Sequence, residues 1–158
     1  MKVLEVSVRQ FAKYCQAILP PIYAAVPGIK MGLPNVLILF LLYRFSIKEA
    51  AAVSLVRLLL SSLLFGNAVT LLYSLAGAVL SLAVMALLKI SDRFSPVGVS
   101  IAGGVMHNLG QIIVAMLIMQ TKEIGYYMIV LAVSGTLAGV IVGLAGALLL
   151  KYAEKLKI

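Results

Sequence analysis

Gly103-Gly104-Val105-Met106-His107-Asn108-Leu109-Gly110-Gln111 places the only histidine of the chain, an asparagine and a glutamine in the middle of a run long and apolar enough to cross a bilayer. At about 100° per residue, a helix brings His107, Asn108 and Gln111 into one sector, with His107 and Gln111 stacked one turn apart. Polar side chains at that depth are costly unless they face a cavity or a partner helix, so the cluster marks a candidate site. The remaining sequence has to supply the bundle around it.

Composition agrees with that reading. Of 158 residues, 63% are hydrophobic and 11% charged, which lies outside the soluble globular range and indicates a polytopic membrane protein in contact with the lipid bilayer. The expectation is an all-α membrane protein, a bundle of about six transmembrane helices forming a single integral membrane domain over 1–158. The formal charge of +8 does not point to nucleic acid, because the 13 basic residues sit mainly between apolar runs rather than in a patch interleaved with aromatics. One cysteine, Cys15, excludes an internal disulfide and a multi-thiolate metal site. Nothing in the pattern calls for a catalytic residue, a cofactor or a metal.

Taken in order, residues 1–19 are periodic at helical spacing, with Glu5, Arg9 and Lys13 forming a stripe opposite Leu4, Val8, Phe11, Cys15 and Ile18. Two readings stand, a first spanning helix with its polar stripe toward the bundle and an amphipathic segment on the membrane surface. Residues 20–33 hold Pro20, Pro21, Pro27, Gly28 and Gly32, and read as a re-entrant or lid loop. Pro34 then opens a short apolar run, and five helices are expected over 34–150, with 151–158 as a cytoplasmic tail. The turns carry Arg44 and Lys48, Gly66 and Asn67, Lys89, Asp92 and Arg93, then Thr121, Lys122 and Glu123. Basic residues crowd the alternate turns, which places both termini in the cytoplasm of a cell-membrane protein. Gly135, Gly139 and Gly143 repeat every fourth residue in the last span, a spacing that lets a second backbone approach.

Arg57 is the second polar outlier. It lies ten residues past Ile47, roughly 15 Å into the core by helical rise, and His107 lies eleven past Pro96 from the same side. Their depths therefore coincide. No Asp or Glu occurs in the central part of any span, so an internal counter-charge for Arg57 is missing. Either a ligand carboxylate or phosphate supplies it, or backbone carbonyls, serines and water satisfy the guanidinium. Asn35, at the start of the short helix, and Lys30, in the loop, add donors, and the helix dipole there favours an anion. The candidate substrate-binding set is thus Arg57, His107, Asn108, Gln111, Asn35 and Lys30.

From Pro27 to Leu150 the chain resembles the Gx transporter family, whose members are also labelled heptaprenyl diphosphate synthase component I. The resemblance rests on Pro27 to Asn35, on Arg57 with Leu63-Leu64-Phe65-Gly66, on Tyr73-Ser74-Leu75-Ala76-Gly77, and on His107-Asn108-Leu109-Gly110-Gln111. That family is similar to the substrate-binding S components of energy-coupling factor transporters. The resemblance implies six helices, a ligand pocket toward the outer face covered by the first loop, a small-molecule substrate, and a transmembrane coupling subunit with ATPase subunits as partner. The charged first helix, with Gln16 four residues after Ala12, departs from the alanine-rich docking helix of S components. The second label implies an alternative, a non-catalytic membrane accessory subunit of a prenyl diphosphate synthase. Prenyl transfer needs magnesium on clustered carboxylates, and Asp92 is the sole aspartate.

Overall fold

The computed structural model describes residues 29–65 and 68–155, with side chains from residue 35 onward except 63–65. The chain divides into two compact units, Met1–Leu33 and Pro34–Ile158. Every described side chain belongs to the second unit. The expectations for residues 1–19, for the loop up to Gly28 and for the Gly66-Asn67 turn lie outside the described residues.

Five α-helices and one 3-10 segment make up the described chain, and it contains no strand among those residues. They are α1 (Ile29–Arg44), α2 (Ile47–Phe65), α3 (Ala68–Ile90), α4 (Pro96–Met119), a 3-10 turn over Lys122–Tyr127, and α5 (Met128–Lys155). Helix α1 starts at Ile29, five residues ahead of Pro34. Proline at that position forfeits a single bond, to the carbonyl of Lys30, close enough to the N-terminus for the helix to continue through it. The loop expected to end at residue 33 is therefore shorter. At the other end, α5 runs on through Lys155, so most of the expected tail 151–158 is helical.

Among the described residues, three stretches are long and apolar enough to cross a membrane: Ala68–Ile90, Pro96–Met119 and Lys122–Lys155. Helix α2 has 19 residues but carries Lys48, Glu49 and Arg57, and the apolar part of α1 is the short run Asn35–Arg44. The boundary between α3 and α4 is set by local chemistry. Ser95 sits in extended geometry and its hydroxyl accepts from the Gly98 amide at 3.2 Å, while Pro96 occupies the first turn, where its missing N–H costs nothing. Helix α4 ends at Gln120 in left-handed conformation, and the 3-10 turn then redirects the chain into α5.

Helix α5 packs its small face inward. Gly135, Gly139, Gly143 and Gly146 are buried, whereas Ile129, Val133, Leu137, Ile141, Leu144 and Leu148 are exposed. In lipid, large apolar side chains gain nothing by turning inward, and close backbone contact through glycine supplies the packing. A Cβ on Gly139 would stand 2.5 Å from the Ile101 Cα, and one on Gly143 would stand 2.7 Å from the Val97 Cα. The expectation that this glycine stripe admits a second backbone is met, and the backbone is that of α4. Helix α3 meets the other side of α4 in the same way, through Gly77, Gly103 and Gly110.

The apolar core lies toward one end. Leu39 and Leu42 of α1, Ala50 of α2, Met85 and Ala86 of α3 and Val99 of α4 form a buried cluster. It sits near the end that carries Arg44, Lys48, Lys89, Arg93, Lys151 and Lys155. Lys89 ties that end together by donating to the Leu42 carbonyl, one of the acceptors left open at the C-terminus of α1, with its ammonium 5.8 Å from the Tyr43 ring centre.

Candidate functional site

Arg57 is the eleventh of nineteen residues in α2, so helical rise alone places it near the middle of that helix. Arg57 is of intermediate exposure, and its Nη1 donates to Oδ1 of the exposed Asn35 on α1 at 2.7 Å. Two of the candidate residues, 22 positions apart, thus meet directly. Asn35 is the seventh residue of α1 rather than its first. Its contribution is the side-chain amide, because the positive end of the helix dipole lies more than a turn away. A guanidinium offers five N–H donors, and Asn35 takes one with a neutral oxygen. Among the described residues no carboxylate reaches Arg57.

Ser54 and Ser61, three residues before and four after Arg57 on α2, differ in environment. Ser54 is buried and Ser61 exposed, so they do not line one continuous surface with Arg57.

His107 faces α3. Its imidazole packs on Gly77, with Nδ1 and Cε1 each 3.0 Å from where a Cβ would stand. Asn108 points elsewhere. Its Nδ2 donates to the Leu131 carbonyl of α5 at 2.6 Å, through a gap that a side chain at Gly135 would close, since a Cβ there would lie 2.9 Å from that nitrogen. The single polar sector expected for His107, Asn108 and Gln111 is therefore split. One residue's rotation is enough to send His107 to α3 and Asn108 to α5, because α4 is sandwiched between them.

Gln111 lines a cleft of about 430 Å³ between α3, α4, the 3-10 turn and α5, together with Tyr73, Ala115, Ile124, Tyr127 and Val130. Most of that lining is apolar, with the Gln111 amide and two phenols as its polar groups. A second groove, lined by Leu72, Leu75, Val79, Val114 and Leu117, is apolar throughout and lies on the α3 and α4 faces. The side chain of Lys30 lies outside the described residues, so its place in the candidate set stays an expectation from sequence.

Gly77, Tyr73 and Tyr127 were not among the candidates. Gly77 offered a signal, since a glycine four residues past a tyrosine in a membrane helix marks a close approach, but its neighbour could not be read from α3 alone. Tyr127 gave none, because it enters the cleft only through the 3-10 turn.

The arrangement can hold an anion by charge at Arg57, with neutral hydrogen-bonding groups beside it. Among the described residues no group of three or more His, Cys, Asp or Glu side chains could hold a metal. No curated protein matches the chain and no solved structure matches it. Residues 7–149 match the profile of the family described as heptaprenyl diphosphate synthase component I, and the chain belongs to that family.

Proposed function

We propose that this chain is a membrane transport subunit that binds a small anionic or amphipathic substrate, with Arg57, Asn35 and His107 at the centre of its site. The observation that carries this reading is the Arg57 guanidinium in the middle of α2, partnered by a neutral amide and reached by no carboxylate among the described residues. A charge in that position is costly, and a carboxylate or phosphate on the open side of the guanidinium fork offsets the cost. Gln111 and Lys30 belong to the ligand-facing set in this reading, while Asn108 serves the α4–α5 contact. The resemblance to S components of energy-coupling factor transporters read from the sequence implies a six-pass bundle with the Pro20–Gly32 segment as a covering lid. It also supports a coupling subunit with ATPases as partner. The crowding of basic residues at the Lys89 end supports cytoplasmic termini in the cell membrane.

A second reading is favoured by the description of the family as a synthase component I. In it the chain is a non-catalytic membrane accessory subunit that presents a prenyl diphosphate to a partner synthase component. Asp92, in the turn after α3, is the only aspartate, so the magnesium-binding carboxylates of prenyl transfer would come from the partner.

Native mass spectrometry of the purified protein tests the site: a retained anionic molecule is expected, and it is lost in Arg57→Ala. Affinity purification from native membranes separates the two readings. Co-isolation of a coupling subunit with ATPases supports transport, and co-isolation of a soluble prenyl synthase supports the accessory role.

A further inference from the structure

Gln111 is a primary amide set deep in an apolar helix. It lies nine residues before Gln120, the cap of α4, which puts it roughly 13 Å inside that end of the helix, close to the middle of a bilayer core about 30 Å thick. Among the described residues no group hydrogen-bonds its side chain, nor the phenols of Tyr73 and Tyr127 that share its cleft. The cleft begins where close helix contact stops. A Cβ on Gly110 would stand 2.7 Å from the Ala76 carbonyl oxygen and 2.8 Å from the Gly77 Cα, so α3 and α4 touch backbone to backbone at that level. Gln111 and Tyr73 come next, toward the end of α4 and the start of α3, and there the space of about 430 Å³ opens and reaches out to Tyr127 in the 3-10 turn. Among the described residues no charged side chain lines it.

We propose that this cleft is a binding site for an uncharged, largely apolar small molecule whose carbonyl or hydroxyl oxygen meets the Gln111 amide. The inference goes beyond the anion reading and does not rest on it: Arg57 takes no part in the lining, and here Gln111 serves a second ligand instead of the anion. A volume of about 430 Å³ falls in the range of small-molecule sites, roughly 300–1,000 Å³. A primary amide carries two donors and an acceptor oxygen, and in hydrocarbon each is costly when unmet. Lipid acyl chains fill the space but offer the amide nothing. A carboxylate, phosphate or ammonium would meet the amide, yet it would give up water for walls of Ile112, Ala115 and Val130 with no counter-charge among them. A neutral oxygen on an apolar body satisfies both the amide and the walls. Nearer the mouth, Tyr73 and Tyr127 add hydroxyls and flat faces against which a ring stacks.

The test uses the full chain in nanodiscs of phosphatidylcholine, with 4-pentylbenzophenone as a neutral probe whose photoreactive atom is its own ketone oxygen. Peptide mass spectrometry maps the insertion. Label is expected between Gln111 and Ala115 and at Val130 or Leu131, above the level on exposed residues of α5 such as Leu137. Competitors are compared at equal measured content in the bilayer. Dodecan-2-one and dodecan-1-ol should each suppress that label about tenfold, whereas dodecane, dodecanoate and butyl phosphate should leave it within about twofold. Gln111→Leu, which keeps the bulk of the side chain without its amide, should lower the label about fivefold. Ala115→Phe and Val130→Trp, which fill the cleft from α4 and from α5, should each lower it about tenfold. SDS titration checks that each variant is folded, and Val130 is exposed enough to take the larger ring. Suppression by dodecane equal to that by dodecan-2-one would reduce the cleft to a groove filled by lipid and overturn the proposal. Equal suppression by dodecanoate, or undiminished label in folded Gln111→Leu, would overturn it too.

Discussion

The Arg57 guanidinium donates to the Asn35 side-chain oxygen across 2.7 Å, linking the middle of α2 to α1 through a cation and a neutral dipole. The amide satisfies a donor without cancelling the charge. What remains is a positive centre in the middle of an apolar helix, oriented by its neighbour.

Orientation is what Asn35 supplies, so Arg57→Lys should fail to replace arginine. A lysine keeps the charge but not the planar fork, and affinity for butyl phosphate is expected to fall about tenfold or more while the protein stays folded. Titration followed by native mass spectrometry reads the difference. Equal affinity in the lysine variant would show that charge alone suffices.

Asn108 is expected to matter for stability rather than for ligand. Asn108→Leu removes the bond to the Leu131 carbonyl and should cost about 1 kcal/mol, in line with interhelical hydrogen bonds in membranes. Unfolding by SDS in mixed micelles measures that cost. Anion binding should be unchanged, and a selective loss of binding would return Asn108 to the ligand site.

Gly139 and Leu137 lie two residues apart on α5 and face opposite ways. Gly139→Leu drives a side chain into the Ile101 backbone and should destabilise by more than about 2 kcal/mol. Leu137→Ala, on the exposed face, should change stability by less than about 0.5 kcal/mol. A reversed order in the same SDS titration would show that α5 is rotated from the orientation described.

Lys89→Met should loosen the basic end of the bundle. It removes a donor from the Leu42 carbonyl and a cation from the Tyr43 ring, at an expected cost of about 1–2 kcal/mol. Hydrogen exchange of the last turn of α1 is the direct readout, and it should speed up in the variant.

Much of the fold was legible because its determinants are local. The apolar runs of α3, α4 and α5, the Ser95-Pro96 start of α4 and the glycine repeat of α5 depend on residues within a few positions of each other. Helix α1 was harder to read: Gly32 looks like a breaker and Pro34 like a helix start, yet the helix begins at Ile29, since a proline near a helix start costs a single bond. In the site, Arg57 and His107 stand out in the sequence as polar residues in apolar helices and Asn35 as a donor at a helix start, and the structure joins Arg57 to Asn35.

The chain on its own established which segments are helical and greasy, which ends are basic and where polar groups sit along each helix, since transfer into a membrane acts residue by residue along the sequence. Only the packed bundle decided that Arg57 meets Asn35, that His107 and Asn108 part company toward α3 and α5, and that Gln111 opens on a cleft with Tyr73 and Tyr127. Those outcomes depend on the rotation and register of one helix against another. A single 100° step around α4 separates a contact with one neighbour from a contact with the next.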